Sequence, residues 1–140
     1  MLKEGLYSNV EIQRSRLATG LTIITEKIPT LRSLSLGLWV LRGSRHEPRE
    51  KSGIFHFLEH MLFKGTESKD TVAIAKIIDS VGGQMNAFTG KENTCFYARV
   101  LDQHLGIAVE LLSDLVLHPA FRPIDVERER KVVLEEIKMV

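Results

Sequence analysis

The five residues His56-Phe57-Leu58-Glu59-His60 constrain this chain more than any other stretch. On a helix, His56 and His60 are four residues apart and Glu59 is three from His56, so all three side chains leave one face. Two neutral imidazoles at that spacing can take two corners of a tetrahedral zinc site. The glutamate between them sits beside the open position, where it can take a proton from water at the metal. The same spacing also arises by chance on a solvated helix face. The flanks weigh against chance, because Phe55, Phe57, Leu58, Met61, Leu62 and Phe63 predict a largely buried helix. Unpartnered polar groups in such a helix would cost roughly 1–3 kcal/mol each, and a metal would satisfy all three. Ser52 is the expected start cap and Gly65 the expected stop.

A catalytic zinc needs a third protein ligand. The stretch from Val126 to Val140 has helical periodicity. At about 100° per residue, Glu129 and Glu136 are nearly eclipsed and share a face with Val126, Val132, Val133 and Val140. Glu135 falls on the other side with Arg128, Lys131 and Lys138, a solvated face of close-spaced ion pairs. Glu136 is therefore the expected third ligand, with Glu129 one helical repeat away as a group that orients a ligand. The competing reading is a Glu136 that fringes the core and pairs with a lysine or arginine.

The order H-x-x-E-H is that of the inverted zinc peptidases. It is followed by Met-Leu-Phe-Lys-Gly-Thr (61–66), Met-Asn-Ala-Phe-Thr-Gly-Lys-Glu-Asn-Thr (85–94) and Glu-Arg-Lys-Val-Val-Leu-Glu-Glu (129–136). From about Leu21 to the last residue the chain resembles the pitrilysin family of zinc metallopeptidases (M16). Within that family it is similar to the branch containing the beta subunit of the mitochondrial processing peptidase and its bacterial homologues. The resemblance implies one zinc per chain held by His56, His60 and Glu136, with Glu59 as general base. It implies that Asn86 and Ala87 pair with an extended substrate strand and that Phe63 lines the pocket just beyond the scissile bond. The implied activity is zinc-dependent endopeptidase cleavage of extended peptides or presequences. A non-catalytic peptide-binding or scaffold subunit is the alternative, which an intact Glu59 disfavours. A closed structural zinc ranks lower, because only three good ligands are visible.

Residues 1–140 read as the N-terminal zinc-binding domain of a longer protein, itself cut short, since family members pair two domains of one fold around the substrate. The expected partners are a peptide and either a C-terminal domain or a homologous subunit. This piece alone is expected to be a weak or inactive enzyme. Hydrophobic residues at 44% and charged residues at 26% suit a globular core, and the net charge of +1 gives no reason to expect nucleic acid. No apolar run is long enough for a membrane span, and 1–16 lacks the apolar centre of a signal peptide. The expected location is the bacterial cytoplasm, or the mitochondrial matrix after loss of a transit peptide. Cys95, the single cysteine, reads as a small buried hydrophobe rather than a nucleophile. His46, His104 and His118 have no ligand spacing, and His118 is expected to bond the last carbonyls of a helix.

The remaining pattern is a hairpin of Val10–Arg16 with Leu21–Ile28, a strand at Leu34–Leu41 and a helix at Thr71–Val81. A second hairpin of Met85–Thr89 with Thr94–Leu101 follows, then a helix capped by Asp102 and running to Leu117. This predicts an α+β domain, with helices packed on one face of a largely antiparallel sheet.

Overall fold

The computed structural model describes residues 11–139. Val10, Val140 and most of the N-terminal stretch read above therefore lie outside the described residues. The chain forms two compact units divided between Arg32 and Ser33. In the first, β1 (Glu11–Arg16) pairs antiparallel with β2 (Thr22–Lys27), Glu11 opposite Lys27 and Arg16 opposite Thr22. The turn closes through Gly20 N–H to Leu17 O, with Gly20 at φ +91°. Both strands are exposed along their length.

The second unit is an α+β layer. Its sheet has the order β3-β5-β4, all antiparallel, built from β3 (Ser33–Val40), β4 (Gln84–Thr89) and β5 (Thr94–Leu101). The strands thus fall into two antiparallel sheets, one in each unit, where the sequence pattern predicts one. Alternation decides which side is covered. Leu34, Leu36 and Val40 of β3 join Met85 and Ala87 of β4 and Phe96, Ala98 and Val100 of β5 on one face. Against that face pack Ile74 and Ile78 of α2 (Thr71–Ser80) and Ala108, Leu111, Leu112 and Leu115 of α3 (Leu105–Leu117), with Leu62 of α1 (Ile54–Leu62). Leu112 and Leu115 are fully buried, worth roughly 1.5–3 kcal/mol each in transfer free energy. On the opposite face, Trp39 and Phe88 flank Cys95 in register, their rings 5.7 Å apart and edge-on. Cys95 is buried, and that burial pushes its thiol pKa up, as suits an unreactive side chain.

Three local expectations change. Ser52 does not cap α1. The N-cap is Gly53 at φ +90°, a region that favours glycine, and the Glu47 carboxylate accepts from Gly53 N–H at 2.7 Å and Phe55 N–H at 2.9 Å. A carboxylate reaching back to the start of a helix meets its free N–H groups and the positive end of its dipole. Asp102 does not cap α3 directly; it opens a 3-10 turn, Asp102–His104, that feeds the helix. His118 turns its Nδ1 to the Asp114 carboxylate at 3.2 Å rather than to the last carbonyls. In both helices a group carried in from another part of the chain, or the next turn itself, met the free end first.

The segment after α1 fastens α4 (Pro123–Lys138) in place. Gly65 O accepts from Ala120 N–H at 3.0 Å, His118 O accepts from Glu67 N–H at 3.0 Å, and Arg122 donates to Thr66 O. Gly65 has φ +127°, and a Cβ there would lie 2.9 Å from Lys69 O, so glycine is required. Pro123 then starts α4, where its missing N–H costs nothing.

Asp114 is the polar anchor of this segment. Its Oδ2 accepts from Thr66 Oγ1 at 2.8 Å, Lys69 Nζ at 3.0 Å and Ser68 Oγ at 3.2 Å. The hydrogen bond from Lys69, then that from Thr66, lower its pKa from 3.8 to about 2 against the opposing effect of desolvation. The folded-state pKa is depressed, so this stabilisation is complete above the ordinary carboxylate range and is lost as pH falls from about 4 toward 2. Asp114→Asn should lower Tm at pH 7 by on the order of a few degrees, and thermal melts across pH should show the gap to wild type closing toward pH 2. A gap that stayed constant over that range would dissociate Asp114 from the acid sensitivity.

Candidate metal centre

Helix α1 carries the motif and is half-buried rather than largely buried. Met61 and Leu62 are buried in the protein, while the polar residues of the motif occupy a partly open side. The rings of His56 and His60 meet edge-on, centroids 4.6 Å apart, and their Nε2 atoms are 3.1 Å apart. Helix α4 packs against α1 and brings Glu136 to them. Glu136 Oε2 lies 3.7 Å from His56 Nε2 and 3.6 Å from His60 Nε2. Donors each about 2.0–2.1 Å from a tetrahedral zinc would be about 3.3 Å apart. The three edges bracket that value, and two imidazole nitrogens with a carboxylate oxygen are zinc's ordinary donor set. These residues fit the metal.

Glu129 is placed to orient one of them. Its Oε1 lies 2.8 Å from His60 Nδ1, and its Oε2 is paired with Lys64 Nζ at 2.6 Å. A carboxylate at Nδ1 holds the ring proton there and leaves the Nε2 lone pair facing the donor triangle. Burial alone would raise the Glu129 carboxyl pKa, but the hydrogen bonds from Lys64 and His60 hold it below its ordinary value. Glu129 is buried, so the Lys64 ammonium supplies the cation such a carboxylate needs. Lys64 is absent from the sequence-based site; it lies in the turn just past the end of α1, where helical spacing from His60 gives no guide to its direction.

Glu135 is exposed and pairs with Lys138 at 2.7 Å, on the outward side of α4. The inward stripe is narrower than expected. Val126, Glu129, Val133 and Glu136 turn toward the protein, whereas Val132 is 46% exposed. Val132 lies about 60° off the Glu129 direction, past the edge of the strip that α4 presents.

Asn86 and Ala87 lie on β4, an edge strand of the three-stranded sheet, and β4 passes beside α1. The Ala87 N–H is taken by the Asn86 side chain, Oδ1 accepting at 2.8 Å. Phe63 follows the last turn of α1, its ring tilted against Phe96 at the margin of the core, centroids 6.4 Å apart. Glu59 has a partner that sequence reasoning missed. Thr89, at the end of β4, donates its hydroxyl to Glu59 Oε2 at 2.5 Å.

Comparison with known proteins places the chain in a family. The profile of the insulinase family, peptidase family M16, matches residues 22–140. An uncharacterized zinc protease of Bacillus subtilis, YmxG, is 49% identical over 128 residues, covering 91% of this chain and 31% of the relative. One from Mycobacterium leprae, ML0855, is 52% identical over 126 residues, covering 90% and 28%. One from Streptomyces coelicolor, SCO5738, is 46% identical over 138 residues, covering 99% and 30%. The chain thus spans about three-tenths of the length of the curated relatives it matches. With the family profile covering most of the chain, this protein belongs to the M16 (insulinase, or pitrilysin) peptidase family.

Proposed function

We propose that this chain carries the metal ligands and general base of a zinc endopeptidase that hydrolyses extended peptides, presequence-like segments among them. The observation behind this reading is the triangle of His56 Nε2, His60 Nε2 and Glu136 Oε2, with Glu59 on the same helix and the β4 edge beside it. One zinc per chain would be held by those three residues and, when bound, would supply Lewis acidity toward the scissile carbonyl and toward a water molecule. Glu129 keeps His60 in the tautomer that can serve as a ligand. Glu59 would accept the proton of the attacking water and pass it to the leaving amine. A peptide pairing along β4 would exchange the bond between Ala87 N–H and Asn86 for a main-chain bond of its own, which admits many sequences. Phe63 would border the position beyond the scissile bond, sharing its ring with the core contact to Phe96.

A closing C-terminal domain or homologous subunit belongs to the same proposal, supported by relatives about three times as long as this chain. So does a cytoplasmic bacterial setting. No helix among the described residues is long and apolar enough to cross a membrane.

The test uses the full-length protein and a fluorogenic peptide. Elemental analysis should give about one zinc per chain, a chelator should abolish hydrolysis, and added zinc should restore it. His56→Ala should lose most of the metal. Hydrolysis indifferent to chelation, or wild-type zinc in His56→Ala, would remove the assignment.

A further inference from the structure

We propose that Thr89 is a positioning residue for Glu59, fixing which carboxylate oxygen is free to take the proton. This rests on the peptidase reading above and adds a residue to it. Glu59 has two equivalent oxygens and two or more rotamers on a half-open helix face, so the protein needs a reason to hold one of them. Thr89 supplies it. Its hydroxyl donates to Glu59 Oε2, a hydrogen bond to a carboxylate and so roughly twice as strong as a neutral one. With Oε2 engaged, Oε1 is the oxygen left to act as base.

The anchor itself is rigid. Thr89 is β-branched and stiff at χ1, and it shares the helix-facing side of β4 with Met85 and Ala87. It pairs in register with Thr94 of β5, whose hydroxyl donates to Arg42 O at 3.0 Å. The next residue, Gly90, donates its N–H to Asn93 O at 2.8 Å, and its own O accepts from Ser44 N–H at 3.0 Å. Arg45 is ion-paired with Glu92 across the same turn. Glu59 is therefore set by the end of a tied-down hairpin rather than by solvent. That hairpin includes the strand proposed to pair with the peptide, so base and substrate are referred to one frame. A base held within hydrogen-bond reach of its proton is the condition for efficient transfer.

Steady-state kinetics of the full-length protein test this with Thr89→Val, which keeps shape and removes the donor, and Thr89→Ser, which keeps the donor. Thr89→Val should lower kcat about tenfold or more, with KM within about twofold and zinc content unchanged. Thr89→Ser should recover most of kcat. Adding Thr89→Val to Glu59→Gln should cost little beyond Glu59→Gln alone, because the two act as one unit. Wild-type kcat in Thr89→Val overturns the proposal, and so does a rise in KM with kcat intact, which would make Thr89 a substrate contact. Equal losses in Thr89→Val and Thr89→Ser, or loss of zinc in either, would assign Thr89 a merely structural role and overturn it as well. Should Thr89→Val not fold, Thr89→Ala against Thr89→Ser carries the same comparison. A fully active Glu59→Gln would remove Glu59 as the base, the part of the reading above on which this inference rests, whereas an inactive Glu59→Gln beside a fully active Thr89→Val sinks only the role of Thr89.

Discussion

Glu59→Gln in the full-length protein is expected to bind zinc as wild type does and to hydrolyse peptide at least about 10²-fold more slowly. Glutamine keeps the length and helix propensity of glutamate, and it can still bond the Thr89 hydroxyl through its carbonyl oxygen. What it lacks is the capacity to take a proton from water. None of the three candidate ligands is touched, since Glu59 lies outside the group formed by His56, His60 and Glu136. Metal content and turnover should therefore part company in this one variant. Elemental analysis beside a peptide assay reads both. Near-normal turnover would mean that another group activates the water, and a joint loss of zinc would mean that Glu59 belongs to the metal shell.

Glu136→Gln is expected to strip zinc where Glu135→Gln leaves it in place. Glu136 Oε2 is within 3.7 Å of both imidazole Nε2 atoms, whereas Glu135 faces outward to Lys138. A neutral amide oxygen is a far weaker ligand than a carboxylate, and the loss should exceed the roughly 10–100-fold typical of residues that only orient ligands. Glu135→Gln breaks an exposed ion pair, and such surface changes stay within about 0.5 kcal/mol of stability. Competition with a chelator of known affinity gives the two zinc affinities directly. Metal lost from Glu135→Gln and kept by Glu136→Gln would show that the rotation of α4 described here is wrong.

Much of this site is readable from local periodicity. His56, Glu59 and His60 share a face because residues three and four apart on a helix must do so, whatever the helix packs against. The same rule separates Glu136 from Glu135, and it puts Glu129 in line with Glu136 seven residues on. Strand alternation likewise marks Leu34, Leu36 and Val40 as one covered row. Where local reasoning strayed, it strayed at boundaries. Ser52 has the right chemistry for a cap, but Glu47, six residues before Gly53, reaches the free N–H groups first. Val132 is apolar and close in angle to the inward stripe, yet α4 rests on a narrower strip than hydrophobicity implies.

The sequence by itself determined the chemical kit: two histidines, a glutamate between them and a distal carboxylate at spacings that regular helices bring into line. Only the tertiary structure decided how α4 docks on α1, that Lys64 neutralises Glu129, and that Thr89 reaches Glu59 across thirty positions of chain. The reason is physical. Contacts within a helix follow from its repeat, while contacts between elements depend on docking registers set by turns such as Gly65–Asp70 and by the fit of the whole core.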